Sequence, residues 1–271
     1  MKIATINVNG IRAAFRKGMD SWLEKEQPDL LLLQETRAPA EIISDLFGEK
    51  WQVKATPSRL KGRAGVAVIA RQGIELGPSS NHNFEDGPDV DSGRWIEVDA
   101  QVGGATVTFV SGYLHSGELG SPKQDAKMAY LRAVTERLAQ LADGRKVLIA
   151  GDFNVVRSEL DIKNWKPNHN KRAGVLDEEI AFLDQWMEGE WVDLTRHHLT
   201  EGERAPYTWW SWRGRAFDND AGWRIDYHMV TPQLLPALAP TWVDRAPTND
   251  ARFSDHAPLL TEIDEDKLAE N

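Results

Sequence analysis

The chain contains no cysteine among its 271 residues. A disulfide framework and any cysteine-ligated zinc or iron–sulfur centre are therefore excluded. Long apolar runs are missing as well: the opening Met1-Lys2-Ile3-Ala4-Thr5-Ile6-Asn7 is too short for a signal peptide, and no later segment reaches the length of a membrane span. A soluble, unexported protein with no membrane partner is expected, and a reducing cytoplasm suits it. There is no glycine-rich dinucleotide loop, no Walker loop, no internal repeat, no Pro/Ser-rich linker and no low-complexity tract, so nothing marks a domain boundary. Positive charge is in deficit, with 32 Lys+Arg against 42 Asp+Glu and a net charge of −10. That balance argues against a protein that coats nucleic acid through its overall charge. No apolar stripe is left over for a partner, and a monomer is expected.

What is present is an ordinary globular balance of 41% hydrophobic and 27% charged residues. One domain over residues 1–263 is expected, followed by a frayed acidic tail at 264–271. Basic residues do gather locally: Arg12, Arg16 and Lys17; Arg59, Lys61 and Arg63; Lys163, Lys166, Lys171 and Arg172; Arg213 and Arg215. Taken alone, each cluster reads as a solvated loop face. Apolar runs bounded by turn residues predict strands at 2–8, 29–34, 51–56, 65–70, 94–102, 106–113, 146–150, 224–230, 241–245 and 257–263. Helical spacing is clearest at 123–141, where Met128, Leu131, Val134, Leu138 and Leu141 recur, with Pro122 before and Gly144 after. Further helices are predicted at 178–187, 19–25 and 39–47. Strands outnumber helices and short turns join them, which predicts an α/β sandwich of two stacked, mixed sheets with helices outside.

Chemistry concentrates at the strand ends. Apolar strands run into Asn7-Val8-Asn9-Gly10, Gln34-Glu35-Thr36, Ser111-Gly112-Tyr113 and Gly151-Asp152-Phe153-Asn154, while two later strands begin with Arg224-Ile225-Asp226-Tyr227 and Ser254-Asp255-His256-Ala257-Pro258. If these ends meet at one edge, they assemble carboxylates, amides, a phenol and a single imidazole. Oxygen ligands with one histidine and no cysteine suit a hard ion, Mg²⁺ or Mn²⁺, better than zinc. Such an ion takes only one or two protein carboxylates, so the other acids must do something else, and phosphoryl chemistry is the natural work. Each residue also has an ordinary reading: a lone Asp or Asn after a strand is usually a turn or cap, Asp255-His256 a surface pair, Tyr113 a packed aromatic. Together and in this order they resist it.

The same series resembles the motif set of the exonuclease III branch of the endonuclease/exonuclease/phosphatase superfamily, from residue 3 to about residue 263. The resemblance implies a four-layer, DNase I-like α/β sandwich with its site at one edge of the two sheets. It implies that Glu35 holds the metal, helped by Asn7 or Asn9 and by Asp255, and that Asp152 orients or deprotonates the attacking water with Asn154 beside it. Asp152 and Asn154 are kept as further candidate ligands. Tyr113 and His256 would contact the scissile phosphate, Asp255 would also orient His256, and Asp226 would complete that network. The implied activity is metal-dependent repair of damaged double-stranded DNA: cleavage 5′ to abasic sites, 3′–5′ exonuclease action and 3′-end trimming.

The superfamily includes phosphatases of lipids and small phosphoesters, so these motifs do not name a substrate. Tyr207-Thr208-Trp209-Trp210-Ser211-Trp212-Arg213 followed by Trp223-Arg224-Ile225 interleaves aromatic rings with arginines, as stacking on nucleic acid requires. Its ordinary reading is a tryptophan-rich core loop. By resemblance, Trp209, Trp223 and Ile225 would line a pocket for an extruded abasic sugar, and Arg12, Ser116, Lys163, Arg172 and Arg213 would meet the DNA. Two departures stand out. Leu114-His115-Ser116-Gly117 follows Tyr113 where many relatives have a proline and an amide, and the stretch 168–174 is one residue longer, with Arg172 near a position often held by Asn. An arginine there would narrow the pocket and favour 3′-end trimming. Three readings stay open: a DNA-repair nuclease, a lipid or small-molecule phosphatase, and a noncatalytic DNA-binding relative.

Overall fold

A computed structural model describes residues 1–81 and 92–269. The first sheet is built from β1 (Lys2–Asn7), β2 (Leu30–Gln34), β3 (Trp51–Thr56), β4 (Val66–Arg71), β11 (Trp242–Val243) and β12 (Leu259–Glu262), in the order β11-β12-β1-β2-β4-β3. The second contains β5 (Leu76–Ser80), β6 (Trp95–Val102), β7 (Ala105–Tyr113), β8 (Lys146–Asp152), β9 (Val192–Asp193) and β10 (Asp226–Val230), in the order β5-β6-β7-β8-β10-β9. Both are mixed: β1 with β2 and β7 with β8 run parallel, and the remaining pairs antiparallel.

Strand alternation sorts the apolar residues into layers. Leu30 and Leu32 face the space between the sheets with Ile3, Val68, Phe109 and Leu148. Leu31 and Leu33 face outward with Ala4 and Ile6, onto α1 (Ile11–Arg16), α2 (Met19–Glu26) and α3 (Ala40–Phe47), through Ile11, Met19, Trp22, Ile43 and Phe47. The unbroken Leu30–Leu33 run is thus a strand buried on both faces. On the far side, Val110, Val147, Ile149 and Tyr227 receive Leu131, Val134 and Leu138 of α4 (Pro122–Leu141) and Leu183 and Trp186 of α6 (Asp177–Met187). Helix, sheet, sheet, helix gives the expected four layers. Short helices α5 (Trp165–Asn168) and α7 (Leu194–His197) sit between the longer elements.

The predicted strands and the four predicted helices are present with small shifts at their ends. Helices α1, α5 and α7 and the strands β5 and β9 were not anticipated. The β5 edge carries Gly77 and Pro78 across a register shift, which conceals its pattern. The acidic tail is corrected in part: α8 (Glu265–Ala269) continues the chain, and Leu268 is buried against the inter-sheet core. Residues 270–271 lie outside the described residues. Among the described residues no helix is long and apolar enough to cross a membrane.

A buried ion network ties down the segment leading into β10. Arg224, 1% exposed, donates Nε to Asp161 Oδ1 (2.8 Å) and both terminal nitrogens to Asp193 (3.0 and 2.8 Å); Arg196 reaches the same Asp161 oxygen at 2.6 Å. Burial pushes the Asp161 carboxyl up, but the charge and hydrogen bond of Arg224, with Arg196 behind it, outweigh burial and hold it below the usual range. A depressed carboxylate stabilises the fold above its unfolded value, and that contribution is lost as pH falls through the folded one. Asp161→Asn leaves Arg224 half-compensated and is expected to cost about 3 kcal/mol at neutral pH. In urea titrations the gap between wild type and variant should close below about pH 4; a gap that persists unchanged at low pH would refute this account.

Candidate active site

Strand register places the chemistry before any side chain is considered. At the ends of the parallel pairs, Asn7 stands opposite Gln34 and Tyr113 opposite Asp152. Antiparallel β10 begins there too, with Asp226 opposite Asp152. The chain turns sharply after these strands: Asn9, Glu35 and Asn154 have φ of 47°, 48° and 53°, left-handed values that non-glycine residues adopt at a cost. Gly112 and Gly151 are register partners, and a Cβ on Gly151 would overlap the Gly112 carbonyl, so β7 and β8 approach closely where the site forms.

One amide joins the two sheets. Asn7 Nδ2 donates to Glu35 Oε1 (3.0 Å) and to Asp152 Oδ2 (2.9 Å), and its Oδ1 accepts the Asn9 backbone N–H (3.0 Å). Asn7 was expected as a metal ligand; here its nitrogen donates to both carboxylates while its oxygen accepts one backbone N–H. Tyr113, expected against the phosphate, donates its hydroxyl to Glu35 Oε1 (2.7 Å), the strongest acceptor within reach. Arg37 takes the other Glu35 oxygen, through Nε at 3.0 Å and through Nη2. Asp152 Oδ1 accepts the Asn154 backbone N–H (2.9 Å), while Asn154 Nδ2 reaches Asp152 Oδ2 (3.2 Å) and the Leu114 carbonyl (2.9 Å).

His256 lies against both acids of the second sheet, Nδ1 at 2.8 Å from Asp226 Oδ2 and Nε2 at 3.7 Å from Asp152 Oδ2. The orienting carboxylate is therefore Asp226, where Asp255 had been expected. Asp255 instead accepts from Asn9 Nδ2 (2.9 Å) and Trp209 Nε1 (3.1 Å). Thr208, which sequence reasoning passed over, is buried and accepts the Ile225 and Asp226 backbone N–H groups (3.2 and 3.1 Å), fixing the start of β10.

Charges at the site are strongly coupled. Burial lowers the His256 imidazole, but Asp226, Asp152 and Asp255 raise it further, to about 10. Burial raises the Asp152 carboxyl, His256 opposes and Asp226 adds, and it settles at about 7. The carboxylates around the ring thus favour its protonated form. Burial also raises Glu35 and Asp255, yet hydrogen bonds and neighbouring cations outweigh it and both stay below the usual carboxylate range, Glu35 through Asn7, Tyr113 and Arg37 and Asp255 through His256, Trp209 and Asn9.

The donor set fits a hard cation, being almost entirely oxygen, and Asp226 Oδ1 is buried without a hydrogen-bond partner. Ligand atoms of Asp152, Asp226 and His256 lie within 4.8 Å of one another, although the carboxylates around His256 favour its protonated form, which would repel a cation there. Glu35 also lines the cavity and is a further carboxylate that could hold a cation.

These groups form one side of a cavity of about 640 Å³ whose wall includes Trp209, Trp223 and Ile225, with Ser116, Lys171 and Arg172 around it. The Trp209 and Trp223 rings meet edge to face at 5.5 Å. The tryptophan-rich segment thus serves two purposes, since Tyr207 and Trp210 are core, packed with Phe217 and Ala257. Arg172 is exposed, and the residue of its loop that crowds the Trp223 wall is Gly174, where a Cβ would lie 3.2 Å from that ring. Arg12, Lys163 and Arg213 are not part of the cavity. Arg12 lines a basic groove with Arg37, Arg59, Lys61 and Arg63, Lys163 a separate depression with Arg204 and Arg245, and Arg213 is exposed.

A profile of the Endonuclease/Exonuclease/phosphatase family matches residues 4–256. An exodeoxyribonuclease of Bacillus subtilis (strain 168) is 33% identical over 270 residues, spanning 96% of this chain and 98% of its own. A DNA-(apurinic or apyrimidinic site) endonuclease of Dictyostelium discoideum is 28% identical, spanning 97% of this chain and 71% of its own. Among solved structures, a 3′ phosphatase from Neisseria bound to a product DNA hairpin superposes with a TM-score of 0.77 at 28% identity, covering 97% of this chain and 99% of the other. An AP endonuclease from Archaeoglobus fulgidus superposes with a TM-score of 0.78 at 27% identity and the same coverage.

The core behind the cavity depends on one small residue. A Cβ at Gly222 would lie 2.6 Å from both Trp210 Nε1 and Tyr207 Cβ. Gly222→Ala must therefore displace Trp210 or Tyr207, and a stability loss of about 1–3 kcal/mol is expected in denaturant unfolding. Unchanged stability would mean this core is looser than its contacts indicate.

Proposed function

We propose that this chain, which belongs to the Endonuclease/Exonuclease/phosphatase family, is a metal-dependent phosphodiesterase of DNA repair that acts on damaged double-stranded DNA. Its substrates would be the phosphodiester 5′ to an abasic site and blocked or recessed 3′ ends. The observation that carries this reading is the juxtaposition of a buried Asp152–His256–Asp226 relay with a cavity walled by Trp209, Trp223 and Ile225. The likeness to an exodeoxyribonuclease, an apurinic endonuclease and a 3′ phosphatase supports the same substrate class.

When bound, Mg²⁺ or Mn²⁺ would polarise the scissile phosphate and offset its developing charge. Glu35 would hold that ion, with Asn9 and Asp255 beside it, while Asn7 and Tyr113 fix the rotamer of Glu35 through Oε1. Asp152, with Asn154 fixed on it, accepts the proton of the water that attacks phosphorus. A carboxylate lifted to about 7 suits that task, because its basicity then matches the working pH. His256 holds its proton through Asp226 and presents Nε2–H to a nonbridging phosphate oxygen, stabilising charge as it builds in line. As the new P–O bond forms, the P–O3′ bond breaks, and the sugar oxygen takes a proton from solvent to end as a 3′-hydroxyl. Trp209, Trp223 and Ile225 would take the extruded deoxyribose, which lacks a base and so loses no pairing on leaving the stack. Ser116 and Arg172 at the cavity, and Arg12, Lys163 and Arg213 farther out, would meet phosphates along the duplex. A monomer working in the cytoplasm is part of this reading.

Three labelled duplexes test it: an internal abasic site, a nick with a 3′-phosphate, and a nick with a 3′-hydroxyl, each with Mg²⁺ and with EDTA. Cleavage with Mg²⁺ that is lost in EDTA is expected, with drops on the order of a hundredfold to ten-thousandfold in Asp152→Asn and His256→Gln. Trimming of 3′ ends without abasic-site cleavage would restrict the activity to end processing. No activity on any duplex would defeat the proposal and favour a lipid or small-molecule phosphoester.

A further inference from the structure

Glu35 is saturated with donors. A carboxylate offers about four lone-pair sites, and here Asn7 Nδ2 and the Tyr113 hydroxyl take Oε1, while Nε and Nη2 of Arg37 take Oε2. An incoming cation must displace one of them. Asn7 is fully buried and shared with Asp152, and Tyr113 is buried at the end of β7 with Arg94 stacked 4.5 Å from its ring centre. Both are held by the sheets. Arg37 is not: its side chain is 41% exposed, although its backbone is pinned by an N–H bond to the Ala64 carbonyl (2.8 Å). Only the guanidinium is free to leave.

Where it goes is set by its second neighbourhood. Arg37 lines the catalytic cavity and also the adjacent basic groove that contains Arg12, Arg59, Lys61 and Arg63. A guanidinium driven from Glu35 by a metal therefore stays at the boundary between the cavity and the adjoining groove, where its fork matches a phosphate.

We propose that Arg37 is a placeholder cation: it occupies the metal-binding oxygen of Glu35 in the unloaded protein, and on metal loading it is released to bind a DNA backbone phosphate beside the cavity. This rests on the reading of Glu35 as the metal anchor and of DNA as the substrate. Metal and substrate binding are then positively coupled, since a freed Arg37 adds a phosphate contact that the unloaded protein cannot make at the same time.

The test has two parts, neither of which needs turnover. First, Mn²⁺ binding to the DNA-free protein is followed through the electron paramagnetic resonance signal of the free ion, for wild type, Arg37→Ala, Arg37→Lys and Glu35→Gln. Arg37→Ala is expected to bind about fivefold more tightly, in line with removal of a partly exposed competing ion pair, with Arg37→Lys in between. Mn²⁺ binding that survives Glu35→Gln undamaged would overturn the anchor reading itself. Binding that needs Glu35 yet is no tighter in Arg37→Ala would overturn the placeholder alone.

Second, duplex affinity is measured against salt in an Asp152→Asn background, with and without Arg37→Ala, once at fixed Mn²⁺ and once in EDTA. With Mn²⁺, loss of Arg37 should flatten the slope of log K against log salt by about 0.9, the value of one phosphate contact; in EDTA the slopes should coincide. Slopes that coincide in both conditions, or differ equally in both, would overturn the proposed transfer of Arg37 from carboxylate to phosphate.

Discussion

The Asn7 amide is the interaction on which the site depends. Glu35 rises from one sheet and Asp152 from the other, and a single Nδ2 satisfies an oxygen of each across the gap between them. Two carboxylates facing one another in a dry interior repel and lose hydration; a shared donor between them reduces both penalties. That sharing is possible only because β1 and β8 end at the same height, which the stacked sheets enforce. Ser254 extends the same clamp by donating its hydroxyl to the Asn7 carbonyl (2.6 Å), which brings the Asp255–His256 turn onto the junction.

Much of this was legible in the sequence because parallel strands align their ends. An apolar run that stops at a polar residue must deliver that residue to the sheet edge, and several such runs in parallel deliver them together. The direction of each side chain was not legible. Asn7 reads equally well as ligand or donor until its neighbours are known, and only the fold shows that its nitrogen serves Glu35 and Asp152 together. The choice between Asp226 and Asp255 as partner of His256 likewise turns on a long-range pairing, since the adjacent Asp255 points to Trp209 while Asp226, thirty positions away, meets the ring. Arg37 carried no signal beyond one exposed arginine after Glu35. The missed strand β5 and helix α1 failed for another reason: β5 is a largely exposed edge with Gly77 and Pro78 at a register shift, and α1 is six residues long and buries only Ile11 and Ala14.

Charge is reconciled with substrate by segregation. The chain is acidic overall, yet the rim of the cavity carries Lys171 and Arg172, and the neighbouring groove carries Arg12, Arg37, Arg59, Lys61 and Arg63. Screening over about 8–10 Å at physiological salt separates such patches from the acidic remainder. Basic side chains gathered beside the cavity then offer a polyanion local contacts although the molecule as a whole repels it, which favours binding in register over indiscriminate coating.

A second buried pair bears on the shape of the cavity. Lys127 and Glu179 are both fully buried and 2.9 Å apart. Lys127 donates to the Asn154 carbonyl (2.9 Å) and to the Ser116 carbonyl (3.3 Å), while Glu179 accepts the N–H groups of Gly174 (2.5 Å) and Leu176 (3.3 Å). One ion pair thus binds together the loop after Tyr113, the turn after Asp152 and the loop bearing Arg172. A pair so completely satisfied is worth less for stability than for fixing a geometry, and the geometry fixed is the distance between Asn154 and the Trp223 wall. Gly174 is held against that wall, while Arg172 of the same loop lies exposed at the cavity rim.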